Sequence, residues 1–206
     1  MEDYFISMFK SKKIGDDGAI ADGFVFSKDA FFENVHFKKE WISFYDIAKK
    51  SMLVNISDAI AMNAMPKYAL LCVAMPSNIK KEESQELFRG FYESAAAFGV
   101  EIIGGDTISN SKLDISVTIV SKTKKPLLRS GAKNGHLMAY TGKLGGNLKE
   151  LKKLQNLGST HRNSKFVNLK LRDRFIYKNS HILSSGMDIS DGLFSDLVKI
   201  SKASRV

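Results

Sequence analysis

Leu113-Asp114-Ile115-Ser116-Val117-Thr118-Ile119 alternates apolar and polar side chains without a break. That period of two marks a strand with one face in a core and the other outside it. Its neighbours toward the N-terminus complete the pattern. Val100 to Ile103 reads as a short strand ending at Gly104-Gly105, and Ile79 to Phe98 as an amphipathic helix, with Glu82 and Glu83 in its first turns and Gly99 closing it. Tyr68 to Met75 is a continuous apolar run of strand length. Ser43 to Asn63 carries Tyr45, Ala48, Met52, Ile56, Ala59 and Ile60 on one broad apolar stripe, with Ser43 as N-cap. Gly23 to Phe32 reads as a strand. The order β-α-β-α-β-β predicts an α+β, ferredoxin-like sandwich.

Lys122 to Lys125 and Pro126 read as a linker, which divides the chain into 1–125 and 126–206. Beyond it, Leu137 to Thr141 is expected to be a strand, Gly142 to Gly146 a glycine-rich turn, and Asn147 to Leu157 and Asp191 to Ala203 helices. Residues 158–186 are polar and basic, with weak periodicity. The chain ends straight after a helix, so the second domain is expected to be an α/β unit that is incomplete.

The 206 residues are 44% hydrophobic and 26% charged, a balance that excludes a disordered tail. No run approaches the roughly 20 apolar residues of a membrane span, and the acidic N-terminus lacks a signal-peptide pattern. A single cysteine, Cys72, excludes an internal disulfide and a cysteine-rich zinc site. A cytoplasmic protein with no membrane partner is expected. The net charge is +9, and such a field gathers anions. The lysines fall in short scattered runs, however, without zinc-finger spacing, a basic helix with heptads or an RNA-binding aromatic signature. No nucleic-acid partner is expected.

The chemistry lies in aspartates beside glycines and serines: Gly15-Asp16-Asp17-Gly18, Asn55-Ile56-Ser57-Asp58, Gly104-Gly105-Asp106-Thr107 and Asp188-Ile189-Ser190-Asp191-Gly192, with Asp29 in the first strand. Aspartate is a hard, short-armed oxygen ligand suited to Mg2+. Neighbouring glycines let bare N–H groups approach phosphate oxygens. Carboxylates that converge without a cation raise one another's pKa, so such a cluster implies divalent ions and polyphosphate. Each motif alone is also ordinary turn and cap chemistry. Asp58 stands out because apolar Ala59, Ile60, Ala61 and Met62 follow it, and a buried carboxylate needs a partner. No P-loop, dinucleotide fingerprint or protein-kinase motif is present. Cys72 reads as a buried inert thiol, and His161 and His181 as solvated.

Taken in order, these motifs resemble the thiamine-monophosphate kinase family, of the superfamily that includes aminoimidazole ribonucleotide synthetase and selenophosphate synthetase. Gly15-Asp16-Asp17-Gly18-Ala19 is similar to the family's Gly-Asp-Asp-Ala-Ala. Asp29 with Glu33-Asn34-Val35-His36-Phe37 is similar to Asp-x-x-x-Glu-Gly-x-His-Phe, and Asn55 to Asp58 with Ala61-Met62 and Pro66 to Asn-x-Ser-Asp-x-x-Ala-Met-Gly-x-x-Pro. Gly104 to Thr107, Arg129 to Lys133 and Asp188 to Leu193 match directly.

The resemblance implies a two-domain aminoimidazole ribonucleotide synthetase-like fold, a homodimer whose N-terminal sheets share a β-barrel, and Mg2+-assisted phosphoryl transfer from ATP to thiamine monophosphate. It implies several Mg2+ ions at Asp17, Ser27, Asp29, Asp58, Asp106, Asp188 and Asp191, ATP contacts from Gly105, Asp106, Arg129 and Ser190, and a substrate contact from His36. It assigns no general base. Asn63, Lys28 and His136 depart from the family pattern, and the Gly-Gly-Glu-Asp-Tyr-like segment that helps to hold thiamine is missing. A shortened non-catalytic homologue that dimerises or binds nucleotide, and another ATP-dependent enzyme of the superfamily, are the alternatives.

Overall fold

The computed structural model describes residues 2–206. Helix α1 (Glu2–Ser7) precedes strands β1 (Ala19–Ala21) and β2 (Phe24–Phe32). Helix α2 (Phe44–Ala61), strand β3 (Met65–Pro76), helix α3 (Lys81–Ala97), strand β4 (Glu101–Asn110) and strand β5 (Asp114–Lys122) follow. A short 3-10 turn (Arg129–Gly131) leads to helices α4 (Gly146–Gln155), α5 (Asp173–Asn179) and α6 (Leu193–Ser204).

The strands form a five-stranded sheet in the order β1-β2-β5-β3-β4. Pairing is antiparallel except between β3 and β4, the two strands that α3 connects, as a parallel pair requires a crossover. Leu113, just before β5, and Ile115, Val117 and Ile119 on it are fully buried, as their spacing predicts. Their partners Phe31, Ala69 and Val73 share the core with Ile47, Met52 and Ile56 of α2 and Leu87, Phe91 and Ala95 of α3. Each large aliphatic side chain buried there contributes about 1.5–3 kcal/mol. Ser43 caps α2 by accepting from the Asp46 N–H at 3.2 Å. Gly90 lies where the two helices touch, since a Cβ there would overlap the Tyr45 carbonyl.

The opposite face of the sheet is open. Phe26, Phe32, Tyr68, Leu70 and Ile108 are all exposed on it, and Lys28 Nζ donates there to Ser116 Oγ at 2.8 Å. Cys72 belongs to this face and is half-buried, not the sequestered thiol its apolar run suggests.

The strand expected over Leu137–Thr141 does not form. Among the described residues no strand follows β5, and Leu137 is 98% exposed. A strand without a neighbour leaves its backbone N–H and C=O groups unpaired. The expected turn at Gly104-Gly105 is instead extended backbone inside β4, which runs on to Asn110. Helix α5 forms within the stretch of weak periodicity. Residues beyond β5 pack back on the sheet domain. Leu154, Phe166 and Val167 enter the main core, and Tyr177 Oη donates to the Ala64 carbonyl at 2.9 Å. The buried Lys50 ammonium lies 3.5 Å from the Phe166 ring centroid, and burial pushes it down to about 8. Among the described residues no helix is long and apolar enough to cross a membrane.

Candidate functional site

Asp17 stands on the loop that enters β1, with its side chain almost fully buried. Arg129 donates to Asp17 Oδ1 through Nε at 3.1 Å and through Nη2. The Asp188 backbone N–H donates to Asp17 Oδ2 at 3.0 Å. Asp16 Oδ1 accepts from the Arg129 backbone N–H at 2.7 Å. Adjacent carboxylates thus tie the N-terminal loop to two distant segments. The 3-10 turn carrying Arg129 is itself held by Ser204 and Ser185, whose hydroxyls donate to the Arg129 carbonyl at 2.6 and 3.0 Å.

Helix α2 supplies the next group. Asn55 is fully buried and bonded on every side. Its Nδ2 donates to the Ser51 carbonyl at 2.9 Å, and its Oδ1 accepts from the Asp29 backbone N–H at 2.7 Å. Its carbonyl accepts from Ser27 Oγ at 3.2 Å. The Asn55 side chain and backbone carbonyl together set β2 against α2 so that Asp29 lies beside the turn of helix bearing Asp58. Ser57 Oγ donates to Asp188 Oδ2 at 3.0 Å, joining the C-terminal segment to the same helix.

The electrostatics follow from this crowding. Burial, then the charges of Asp188, Asp29 and Asp17, pushes the Asp58 carboxyl up to about 10, with Arg129 opposing. Burial and Asp17 raise Asp188 to about 6. Burial also raises Asp17 against the pull of Arg129. Asp29 keeps more than a third of its surface in solvent, yet the protein around its carboxyl still raises it, with His36 opposing. Four hard-oxygen carboxyls that destabilise one another's charge, with one guanidinium among them, form a donor set suited to a hard divalent cation. Among the described residues no three acidic, histidine or cysteine side chains yet converge on one ion-binding point.

The structure thus gathers Asp17, Asp29, Asp58, Asp188 and Arg129, with Ser27 bonded beneath them. His36 belongs to the rim: its Nδ1 accepts from the Phe32 N–H at 2.9 Å, which leaves the proton on Nε2, and its ring stacks on Phe31. Gly105 and Asp106 lie apart on edge strand β4, along a cleft of about 370 Å3 between that edge and α3. Leu71, Val73, Phe88 and Phe91 form its apolar walls. A Cβ at Gly105 would overlap the Leu71 carbonyl. Ser190 and Asp191 lie on the turn before α6, where both backbone N–H groups donate to Asp196 Oδ2 at 3.0 and 3.1 Å. Asp191 is paired with Lys199. His136 bonds Ser184 Oγ at 2.9 Å, a contact between turns.

The sequence reading does not assign roles to Asn55, Ser57, Asp16 or Asp196. An acid in the first turn after Gly192 was a signal for Asp196. Asn55, Ser57 and Asp16 lie inside the quoted motifs, but nothing local shows what they bond, because their partners come from distant parts of the chain.

A mixed sheet with helices on one face, and acidic loops meeting an arginine at its edge, defines the class. The chain belongs to the family described as AIR synthase related protein, N-terminal domain, whose profile matches residues 15–123. Its particular relatives are thiamine-monophosphate kinases. That of Rhodopirellula baltica is 35% identical over 94% of this chain and 61% of its own length. The Bacillus subtilis protein is 34% identical over 94% of this chain and 65% of its own length. The Pyrococcus horikoshii protein is 30% identical over 98% of this chain and 67% of its own. Among solved structures, AaThiL complexed with AMPPCP and TMP superposes with a TM-score of 0.89 at 25% identity, covering 100% of this chain and 69% of that one. The chain therefore spans less than two thirds of the R. baltica and B. subtilis relatives.

Proposed function

We propose that this chain carries the metal and nucleotide site of a thiamine-monophosphate kinase, moving the γ-phosphoryl of ATP to thiamine monophosphate to give thiamine diphosphate and ADP. The observation that carries the reading is the cluster of Asp17, Asp29, Asp58 and Asp188 around Arg129, whose carboxyls raise one another's pKa. Asp17, Asp29, Asp58 and Asp188 would hold Mg2+, with Ser27 beside them. When bound, the ions neutralise charge on the polyphosphate and on the phosphoryl group in flight.

The protein's own residues do the rest. The acceptor is a phosphate whose second pKa near ~6 leaves its oxygens ionised at neutral pH. No side chain has to remove a proton, so the reaction needs no general base, and Asp188, raised to about 6, serves as an ion ligand. Arg129, pinned by Asp17 and by its own backbone bond to Asp16, presents a fixed guanidinium to phosphate oxygens. His36 keeps Nε2–H directed away from the Phe32 N–H that holds its other nitrogen, free to donate to the acceptor phosphate. The α3–β4 cleft, with Gly105 and Asp106 at one side and Phe88 and Phe91 at another, offers a nucleotide both bare backbone and apolar walls. ATP as donor implies a cytoplasmic setting. The exposed apolar face of the sheet supports a homodimer joined through it.

The test is direct. The purified chain is mixed with Mg2+, ATP and thiamine monophosphate, and thiamine diphosphate is measured by thiochrome fluorescence after chromatography. Product from the unaltered chain and none from Asp58→Asn is expected. Equal product from both, or product without ATP, overturns the proposal.

A further inference from the structure

Not every aspartate of the site is free to take an ion. Asp196 on α6 is almost fully buried and uses both its oxygens. Oδ2 accepts the Ser190 and Asp191 backbone N–H groups at 3.0 and 3.1 Å, and Oδ1 accepts from Lys199 Nζ at 3.0 Å. That lysine, three residues further along the same helix, also reaches Asp191 Oδ2 at 2.6 Å. Its ammonium bridges the two carboxylates, the position that a divalent ion shared by two acids would claim. Among the described residues Asp17, Asp29, Asp58 and Asp188 have no such internal cation besides Arg129, which bonds only Asp17 among them.

We propose that Lys199 is the resident counter-cation of Asp191 and a positioning residue for the turn 188–192, so that Asp191 takes no divalent ion while the lysine is present. The Lys199–Asp191 pair is exposed and weak by itself, but an ion at Asp191 would sit beside an ammonium that the buried Asp196 still holds. The bond to Asp196 keeps the lysine in place if Asp191 lets go. The turn's geometry is set by Asp196, which accepts both the Ser190 and the Asp191 N–H, and not by a metal. The inference rests on the reading that the other carboxylates hold divalent ions.

Mn2+ bound per chain, counted by electron paramagnetic resonance with β,γ-methylene-ATP present, tests it. Asp191→Asn is expected to leave the count unchanged. Lys199→Met is expected to add one Mn2+ per chain, and Lys199→Arg to restore the original count, which a merely structural role for the lysine would not do. The double change Asp191→Asn with Lys199→Met should lose the added ion. Loss of one Mn2+ in Asp191→Asn overturns the proposal, and needs no folded Lys199 variant to be seen. No added ion in a folded Lys199→Met overturns it too. Absence of Mn2+ from every variant, the unaltered chain included, overturns the carboxylate reading itself and the inference with it.

Discussion

A carboxyl pushed up to about 10 beside another at about 6 makes the unliganded site a proton store. Both values are raised in the fold, so the folded chain holds protons that the unfolded chain releases. Stability from Asp188 is present below about 4 and is lost as pH rises toward about 6, and that from Asp58 is lost on toward about 10. Each proton held only by the fold tilts the balance by about 1.4 kcal/mol per pH unit. Without divalent ions the melting temperature should therefore fall from pH 5 to pH 8, and Mn2+ should raise it more at pH 8. Calorimetric titration in two buffers of different ionisation enthalpy should show about one proton released per chain at pH 7.5. Asp58→Asn should abolish that release and raise the melting temperature of the metal-free protein at pH 8. At His36, substitution by alanine should raise the KM for thiamine monophosphate about tenfold or more, one lost hydrogen bond to a charged group, with a smaller change for ATP. Equal losses for both would remove His36 from the acceptor side.

Among the elements, β4 shows what glycine does for an edge. Gly105 sits against the Leu71 backbone in the parallel β3–β4 pair, and a side chain there meets the carbonyl before it meets solvent. Gly105→Ala should loosen the β3–β4 pairing by about 1–3 kcal/mol, read as a lower urea midpoint. Deuterium uptake should rise along Glu101–Asn110 while Asp114–Lys122 stays protected. That same backbone conformation hid the strand from the sequence, since paired glycines signal a turn as strongly as an extended crossing. β5 was fully legible because its period of two is enforced by one covered face. Leu137–Thr141 carried the apolar content of a strand but had no neighbour to pair with. The site divides in the same way. Aspartates next to glycine and serine announce themselves, and Asp58 showed in its apolar surroundings. Asn55, by contrast, earns its position from Ser27 and Asp29 on another strand, and Ser57 from Asp188 far along the chain. Local pattern carries no trace of such partners.

For the whole molecule, a sheet covered on one side leads us to expect association. Phe26, Phe32, Tyr68, Leu70 and Ile108 make an exposed apolar face of the kind that marks an interaction surface. Sedimentation should show a dimer, and Leu70→Glu, a charge at the middle of that face, should weaken it by about 3 kcal/mol, about a hundredfold in Kd. A monomeric unaltered chain would remove the shared-barrel arrangement. The order of strands has a bearing on synthesis as well. β5 lies between β2 and β3 although it is made after both. A chain emerging at about 5–20 residues per second therefore spends some seconds with two finished strands and a vacant slot between them. During that interval β2 and β3 can pair with each other, or with another nascent chain. The last strand made is the keystone, and a pause or truncation before Lys122 would strand the protein in its most adhesive state.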